Sequence, residues 1–421
     1  MKRGMLKLKT AAVCTATAVL AVVCGAGCGS PQESKAAPEA NVSVQETEKV
    51  PETEEPSREI QGVIEETASP QTLEEQVEQY LEDMTLKEKA AQLFVITPEA
   101  ITHVETVTAA GETTRRAMEE YPVGGFVYMK ANLVSESQTR KMLGNVQEYA
   151  QEITGLPVFL SVDEEGGTVA RVANNDGFSV EDVGDMADIG ASGDAGKAYE
   201  VGETIGTYLS GLGFNLDFAP DADVLTNPDN AVIGVRSFGS DSQLVSDMVL
   251  AEMDGLADAG VLSCVKHFPG HGGTAGDTHE GYAYTDKTLD QLKAAELVPF
   301  AAAVEAEVPF VMVSHISVPQ VIGDNTPSSL SETMVSGVLR SQLGYDGIVI
   351  TDAMNMGAIA ENYSSSEAAV QALSAGVDML LMPADFESAY NGVLQAVEDG
   401  TLSEERIDDS VRRILRVKLS V

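Results

Sequence analysis

The sequence has little positive charge: 26 Lys and Arg stand against 66 Asp and Glu, which gives a formal net charge of −40 over 421 residues. Nucleic-acid binding needs a basic surface, so this balance argues against a nucleic-acid partner. It disfavours an anionic membrane surface for the same reason. Tryptophan is absent and only 5% of the residues are aromatic, but the hydrophobic share of 43% is ample for a large core. We therefore expect a globular protein.

Cysteine is also scarce, and three of the four cysteines fall in the first 28 residues. These residues include four Lys or Arg and no acidic residue, and a run of 17 small or apolar residues extends from Thr10 to Ala26. Such a pattern is typical of a secretory signal. The run leads into Ala26-Gly27-Cys28, and two small residues before a cysteine resemble the end of a bacterial lipoprotein signal.

The sequence thus predicts that residues 1–28 are a lipoprotein signal peptide and that Cys28 becomes the lipidated first residue of the mature chain. An ordinary secreted protein cleaved nearby is the alternative. Lipidation would anchor the protein to the outer face of the bacterial cytoplasmic membrane. With Cys28 acylated and the earlier cysteines removed, no internal disulfide is possible. The remaining Cys264 lies in an apolar run and is expected to be a buried small hydrophobic residue.

Residues 29–70 have no aromatic residue and ten Glu against three Lys or Arg. Such a segment buries too little apolar area to offset its chain entropy, so it is expected to be a disordered acidic tether. From residue 71 onward the pattern becomes regular. Residues 71–421 are therefore expected to form a single folded domain.

Eight short apolar runs recur in this domain, with their starts about 30 to 57 residues apart and helical spacing between most of them. Eight such units in about 350 residues predict an α/β fold, specifically a (β/α)8 TIM-type barrel. An open doubly wound sheet is the alternative, but no Gly-rich dinucleotide fingerprint follows the first run. Two of the intervening helices are expected at 289–306 and 331–343. The eight runs are 93–96, 125–128, 158–162, 214–218, 261–265, 310–313, 347–350 and 379–382.

Polar residues directly follow several of these runs. In a barrel the carboxyl ends of the strands converge on one rim, where catalytic residues lie. One polar residue after a strand is usually a loop start or a helix cap, but several strand ends that, with the segments directly after them, hold four of the five histidines indicate a site. These strand-end positions are Asp163, Asp217, Lys266-His267, Ser314-His315 and Thr351-Asp352.

The densest segment is 266–279, which contains three histidines. His267 and His271 have the spacing of a zinc-binding helix, but Pro269 and Gly270 between them disfavour that helix, so no metal is expected. The Gly-rich stretch 270–276 is expected to be a long mobile loop that carries Asp277 and His279 over the barrel mouth.

The motifs in these segments resemble those of glycoside hydrolase family 3, in its bacterial β-N-acetylhexosaminidase branch. They are Lys-His-Phe-Pro-Gly-His-Gly at 266–272 with Asp-x-His at 277–279, Asp-x-Glu-Gly-Gly at 163–167, Arg-Ser-Phe-Gly at 236–239 and Thr-Asp at 351–352. The resemblance covers about residues 75–421 in the right order. It implies a retaining exo-β-N-acetylglucosaminidase that removes terminal N-acetylglucosamine from peptidoglycan fragments or muropeptides.

The resemblance also implies roles for individual residues. The nucleophile falls on Asp352, and the general acid/base on His279, oriented by Asp277. No metal or other cofactor is needed for this chemistry. For Arg171 an ion pair with Glu164 or Glu165 is an equally good interpretation, and the two glutamates are expected to be structural. Sugar binding falls on Asp163, Arg171, Arg236, Lys266 and His267.

The chain departs from the family pattern in two places. Gly273 stands where the family commonly has Asp, which would loosen the loop, and Thr351 replaces the usual Ser. The β-glucosidase branch commonly has Ser-Asp-Trp and a second domain, so a chain without Trp fits it poorly. A catalytically inactive sugar-binding lipoprotein would gain nothing from the Asp277-His279 dyad. Whether water or phosphate is the acceptor stays open, because a histidine acid/base would not repel phosphate. We expect a monomer whose only membrane contact is its lipid anchor.

Overall fold

The computed structural model describes residues 71–276 and 283–420. Its eight parallel strands are β1 (Phe94–Ile96), β2 (Gly125–Val127), β3 (Phe159–Val162), β4 (Leu216–Asp217), β5 (Leu262–Phe268), β6 (Phe310–Val313), β7 (Ile348–Thr351) and β8 (Leu380–Leu381). They form one sheet in the order β8-β1-β2-β3-β4-β5-β6-β7. A parallel bridge between Ile350 of β7 and Met379, just before β8, joins the two ends of the sheet.

This architecture confirms the predicted (β/α)8 barrel. Every strand lies within or overlaps one of the eight apolar runs, and β1, β3, β6 and β7 are buried along their whole length. Continuous burial is expected of parallel strands that are covered on both faces, since helices lie outside and side chains fill the interior.

Helices connect successive strands and form the outer layer. Beyond β3, Glu164–Gly166 and Val169–Ala170 form a short antiparallel hairpin. The α-helices are Leu73–Asp83, Leu86–Gln92, Glu99–Thr102, Glu112–Glu120, Glu136–Thr154, Met186–Ala191, Ala195–Leu212, Ser242–Asp258, Leu289–Ala294, Leu297–Glu305, Pro319–Ile322, Gly357–Ala360, Ser365–Ala375, Phe386–Glu398 and Glu404–Ser420. Short 3-10 turns are Lys130–Asn132, Gly234–Arg236 and Ser328–Leu330, and Thr333–Gln342 is a π-helix.

Both named helix predictions need correction. The helix expected at 289–306 is broken at Ala295, whose φ and ψ of −142° and −79° are not helical. Pro299 has no N–H to donate to the carbonyl of Ala295, so an uninterrupted helix would lack a hydrogen bond there. The helix expected at 331–343 is a π-helix over Thr333–Gln342, and the N–H of Leu343 donates to the carbonyl five residues earlier, at Val338. An apolar pattern does not distinguish these two hydrogen-bond spacings.

The amino-terminal end of the barrel is closed by packed aromatic rings and by the last helix. Phe159 of β3 and Phe310 of β6 meet edge to face with their centroids 5.1 Å apart. The last helix places Lys418 against them: its Nζ lies 5.1 Å from the Phe159 ring centroid and donates to Gln92 Oε1 at 2.8 Å. This end of the barrel therefore contains a buried lysine with an amide and a ring as its neighbours.

Cys264 is completely buried in β5 and has a free thiol, as predicted. Cys28, the predicted signal peptide and the predicted tether lie outside the described residues. Within 71–276 and 283–420, no helix combines the length and the apolar character needed to cross a bilayer.

Candidate active site

A cavity of about 320 Å³ opens at the carboxyl ends of the strands. Six residues predicted from the sequence line it: Asp163, Arg171, Arg236, Lys266, His267 and Asp352. Further lining residues are Val127, Met129, Glu165, Val169, Val232, Ile233, His271, Met312, Ala353, Asn355, Met356, Leu381 and Met382.

The barrel places these groups by ending its strands at one rim. Asp163 follows β3, Asp352 follows β7, and Arg236 closes the 3-10 turn after β4. Lys266 and His267 do not follow a strand as expected, because β5 continues through Phe268. The extension is held by pairing with the neighbouring strands, since Phe268 pairs with Val313 and Lys266 with Asp221.

Two cations and two carboxylates form a buried network on one wall of the cavity. Lys266 Nζ lies 2.6 Å from Glu165 Oε1 and 2.9 Å from Asp163 Oδ1. Arg236 binds Glu165 through two bonds of 2.7 and 2.8 Å. Burial alone would lower the pKa of Lys266, but Asp163 and Glu165 raise it above its ordinary value. Burial would likewise raise the pKa of Glu165, and Arg236 and Lys266 lower it instead. Lys266 and Glu165 are therefore both charged at neutral pH.

Glu164 and Glu165 differ in role. The sequence predicted the same structural role for both, because they are adjacent and of the same residue type. Glu164 accepts hydrogen bonds from the N–H groups of Val172 and Ala173 and from the hydroxyl of Tyr208, so it is structural as expected. Glu165, also expected to be structural, lines the cavity. Arg171 pairs with neither glutamate; its nearest carboxylate oxygen is Asp163 Oδ2, at 3.8 Å.

Asp352 lies at the base of the cavity and has the electrostatics of an ionised carboxylate. Burial would raise its pKa, but His315, His267, the Ala353 N–H and Lys266 outweigh burial and lower the pKa below its ordinary value. The Ala353 N–H donates to Asp352 Oδ1 at 2.7 Å, and the backbone N–H of Asp352 donates to the carbonyl of Val313 at 2.8 Å. These two bonds fix both the side chain and its backbone.

Two buried aspartates, Asp221 and Asp223, lie behind the charged wall and were not predicted from the sequence. Asp223 Oδ2 accepts from Nδ1 of His267 at 2.7 Å, and its Oδ1 accepts from the backbone N–H of His271. Asp221 Oδ1 accepts from the N–H of Asp223 at 2.9 Å, while its Oδ2 has no hydrogen-bond partner. The sequence does place both acidic residues shortly after the predicted strand 214–218, which could have pointed to them. Their contacts could not be predicted in this way, because the partners of Asp223 belong to β5 and the segment after it.

Asp221, Asp223 and His267 have ligand atoms within 4.8 Å of one another, close enough to hold a metal ion. Two observations show that these three residues are a poor site for a cation. Arg236, already positive, approaches Asp221 Oδ2 to 3.7 Å. His267 Nδ1 is engaged with Asp223, and burial lowers the pKa of His267 to about 4, so its ring is neutral with one proton. Asp223 is therefore better suited to orienting His267 than to coordinating a metal.

The start of the Gly-rich segment is packed rather than free. His271 and Thr274 are buried, and Thr274 Oγ1 lies 2.8 Å from His271 Nδ1. A Cβ on Gly273 would stand 2.7 Å from Thr226 Oγ1 and 2.8 Å from Glu296 Oε1, so glycine at this position permits a close approach. The expected loosening at Gly273 is therefore wrong for residues 270–274. Asp277 and His279 lie outside the described residues, and their roles remain predictions.

Another part of the cavity wall is apolar and was also not predicted. It includes four methionines, of which Met382 has a φ of +46°. This left-handed conformation is uncommon outside glycine. The N–H of Met382 donates to the carbonyl of Val95 at 2.8 Å, which ties the residue to β1. The cavity thus has one charged and one apolar wall, as expected for a ligand with both hydroxyl groups and hydrocarbon surface. The four methionines are Met129, Met312, Met356 and Met382.

A (β/α)8 barrel with an ionised carboxylate and a charged wall at its strand ends defines an enzyme for a polar substrate. The protein-family model for the glycosyl hydrolase family 3 N terminal domain matches residues 85–417 of this chain. The chain belongs to glycosyl hydrolase family 3, as its motifs indicate.

Individual relatives agree with this assignment. Beta-hexosaminidase A from Pseudoalteromonas piscicida is 35% identical over 326 residues, which cover 72% of this chain and 54% of that protein. Beta-hexosaminidase LpqI from Mycobacterium tuberculosis is 34% identical over 338 residues, 78% of this chain and 82% of LpqI. The solved structure of a family 3 beta-N-acetylglucosaminidase from Paenibacillus sp. str. FPU-7 matches with a TM-score of 0.75 and 40% identity, covering 80% of this chain and 62% of the other. The chain thus spans about half to four fifths of these relatives.

Proposed function

We propose that the protein is a retaining exo-β-N-acetylglucosaminidase. The observation that carries this proposal is Asp352, an ionised carboxylate fixed at the base of a cavity whose charged wall can bind sugar hydroxyls. Relatives named beta-hexosaminidase and beta-N-acetylglucosaminidase support the choice of sugar.

In the proposed first step, a carboxylate oxygen of Asp352 attacks the anomeric carbon. The bond from that carbon to the leaving oxygen breaks, and a covalent glycosyl-enzyme forms. His279 donates a proton to the leaving oxygen, and Asp277 orients His279. In the second step water attacks the anomeric carbon, gives its proton to His279 and releases Asp352. A histidine is well suited to both transfers because its ordinary pKa lies near neutrality, so the protonated ring acts as the acid in the first step and the neutral ring as the base in the second.

The charged wall would orient the sugar for this attack. Lys266 and Arg236 can donate to hydroxyl oxygens, and Asp163 can accept from hydroxyl groups. Because these groups already neutralise one another, they present directed hydrogen bonds to a neutral sugar without an uncompensated charge. Arg171 and His267 complete the proposed set.

We further propose that the substrate is peptidoglycan fragments and that Cys28 anchors the protein to the outer face of the bacterial cytoplasmic membrane. The signal-like segment 1–28 and the acidic tether 29–70 support this location. A Cys28→Ala variant should leave the membrane fraction or fail to mature. Normal processing with continued membrane attachment would contradict the anchor.

The function is tested with the protein lacking residues 1–28 and a panel of chromogenic β-glycosides. We expect release of N-acetylglucosamine and not of glucose. Product analysis with and without phosphate identifies the acceptor. Free sugar in both conditions supports hydrolysis, whereas sugar 1-phosphate formed in the presence of phosphate would show that the reaction is phosphorolysis. Preference for glucosides would overturn the proposed substrate.

A further inference from the structure

His267 is held between two partners that together determine which ring nitrogen carries its proton. Its Nε2 lies 3.2 Å from an NH2 group of Arg236, and a guanidinium can only donate. Nε2 therefore accepts, and the proton of the neutral ring is on Nδ1. From there it is donated to Asp223 Oδ2 at 2.7 Å.

Both carboxylate oxygens of Asp223 are in use. Oδ2 accepts from His267, and Oδ1 accepts from the backbone N–H of His271, which begins the Gly-rich segment. The side chain is completely buried and does not line the cavity. Asp223 thus links the sugar-binding wall to the backbone of the next segment without touching the cavity itself.

Asp221 offers a contrast two residues away. It is equally buried, but only its Oδ1 accepts a hydrogen bond, from the N–H of Asp223. Burial and the neighbouring Asp223 carboxylate raise the pKa of Asp221, which favours its neutral form. A protonated aspartic acid and an asparagine have nearly the same shape and no charge, so an amide can replace Asp221 without losing an acceptor that is in use.

We propose that Asp223 is a positioning residue for sugar binding, which holds His267 in the Nδ1–H tautomer so that its Nε2 and Arg236 face the substrate as one unit. Asp221 is not part of that arrangement. The inference rests on the proposed function for its kinetic consequence, because it assigns His267 to the sugar site. The tautomer itself does not depend on which glycoside is cleaved.

The two isosteric variants Asp223→Asn and Asp221→Asn test this directly. Asparagine has one oxygen, so Asp223→Asn must give up the bond to His267 or the bond to His271. We expect KM for a nitrophenyl N-acetylglucosaminide to rise roughly tenfold or more, the loss typical of a charged hydrogen bond, with kcat within a few fold of wild type. Asp221→Asn should keep both constants within about twofold. An unchanged KM in Asp223→Asn would overturn the proposal.

A double-mutant cycle separates positioning from a general structural role. In a His267→Ala background, Asp223→Asn should cost little further, because Asp223 acts through His267. An additive loss would show that Asp223 acts by another route and would overturn the proposal.

The tautomer is measured in the wild-type protein by long-range 1H–15N correlation of labelled histidine, with the His267 signal assigned from its loss in His267→Ala. We expect a proton on Nδ1 and an unprotonated Nε2. A proton on Nε2 would refute the positioning role even if neither asparagine variant folds. If no glycoside is cleaved but Nδ1–H is observed, the proposed function fails and the positioning of His267 stands.

Discussion

Two lysines are buried at opposite ends of the same barrel, and their surroundings are opposite. Lys266, at the carboxyl end of β5, has two carboxylates within 3 Å. Lys418, on the last helix at the other end, donates a hydrogen bond to Gln92 and lies against the ring of Phe159. Both are about 2% exposed. The pKa of Lys266 is raised by its carboxylates, whereas burial lowers the pKa of Lys418 to about 7.

The comparison shows where the fold maintains charge. Around the cavity each cation is paired, so the charge stays in place for a ligand to use. At the amino-terminal end a lysine lies in an apolar setting that favours its neutral form, at a cost to stability when it is protonated. Substitutions at the two ends should therefore affect different properties.

The largest expected effect is at the cavity end, at the nucleophile. Asp352→Ala should lower kcat on every substrate by several orders of magnitude, because no covalent intermediate can form. Lys418→Met, far from the cavity, is the control and should retain wild-type kcat. Substantial turnover by Asp352→Ala in steady-state assays would contradict the assignment.

A second substitution distinguishes the acid/base from the nucleophile. His279→Ala should lose roughly 100-fold or more on a disaccharide, whose leaving group needs a proton, and much less on a nitrophenyl glycoside. Asp277→Ala should show a weaker version of the same asymmetry. Equal losses of kcat/KM on both substrates would reject His279 and turn attention to Glu164, Glu165 and Glu280.

The two lysines themselves form the third test. Lys266→Met removes one partner from a buried ion network and should destabilise the fold by about 3 kcal/mol as well as raising KM. Lys418→Met should instead stabilise it at pH 6, by roughly 2–4 kcal/mol, because a buried unpaired charge is removed while one hydrogen bond to Gln92 is lost. Urea unfolding at pH 6 measures both changes, and the same sign for both would contradict the comparison.

The smallest effect is the pH dependence of the Lys418 contribution. Its pKa is about 7 in the folded state and near 10.5 when exposed, so between these values the unfolded state binds more protons. Stability due to this group should therefore rise with pH from about 7 to about 10.5, and the advantage of Lys418→Met should shrink over the same range. We expect the difference in unfolding free energy between wild type and variant to be largest at pH 6. A constant difference up to pH 10 would mean that Lys418 stays charged.

Much of this fold could be predicted because apolar runs and their spacing are local features that can be recognised in the sequence. The run 310–313 coincides with β6, and Asp163 and Asp352 fall at strand ends for the same reason. Contacts between distant segments could not be predicted in this way. The pairing of Asp223 with His267 joins residues 44 positions apart, and the apolar wall draws its methionines from separate strands and loops. The helix break at Ala295 did have a local signal, Pro299, that the periodicity outweighed.

The central claim, a covalent intermediate on Asp352, is tested most directly by trapping it. The protein lacking residues 1–28 is incubated with a slow fluorinated N-acetylglucosaminide, quenched, digested and mapped by mass spectrometry. The account predicts one added sugar on the peptide that contains Asp352, and none in Asp352→Ala. A label on Glu165 or another carboxylate, or turnover of the compound without any covalent sugar, would contradict it.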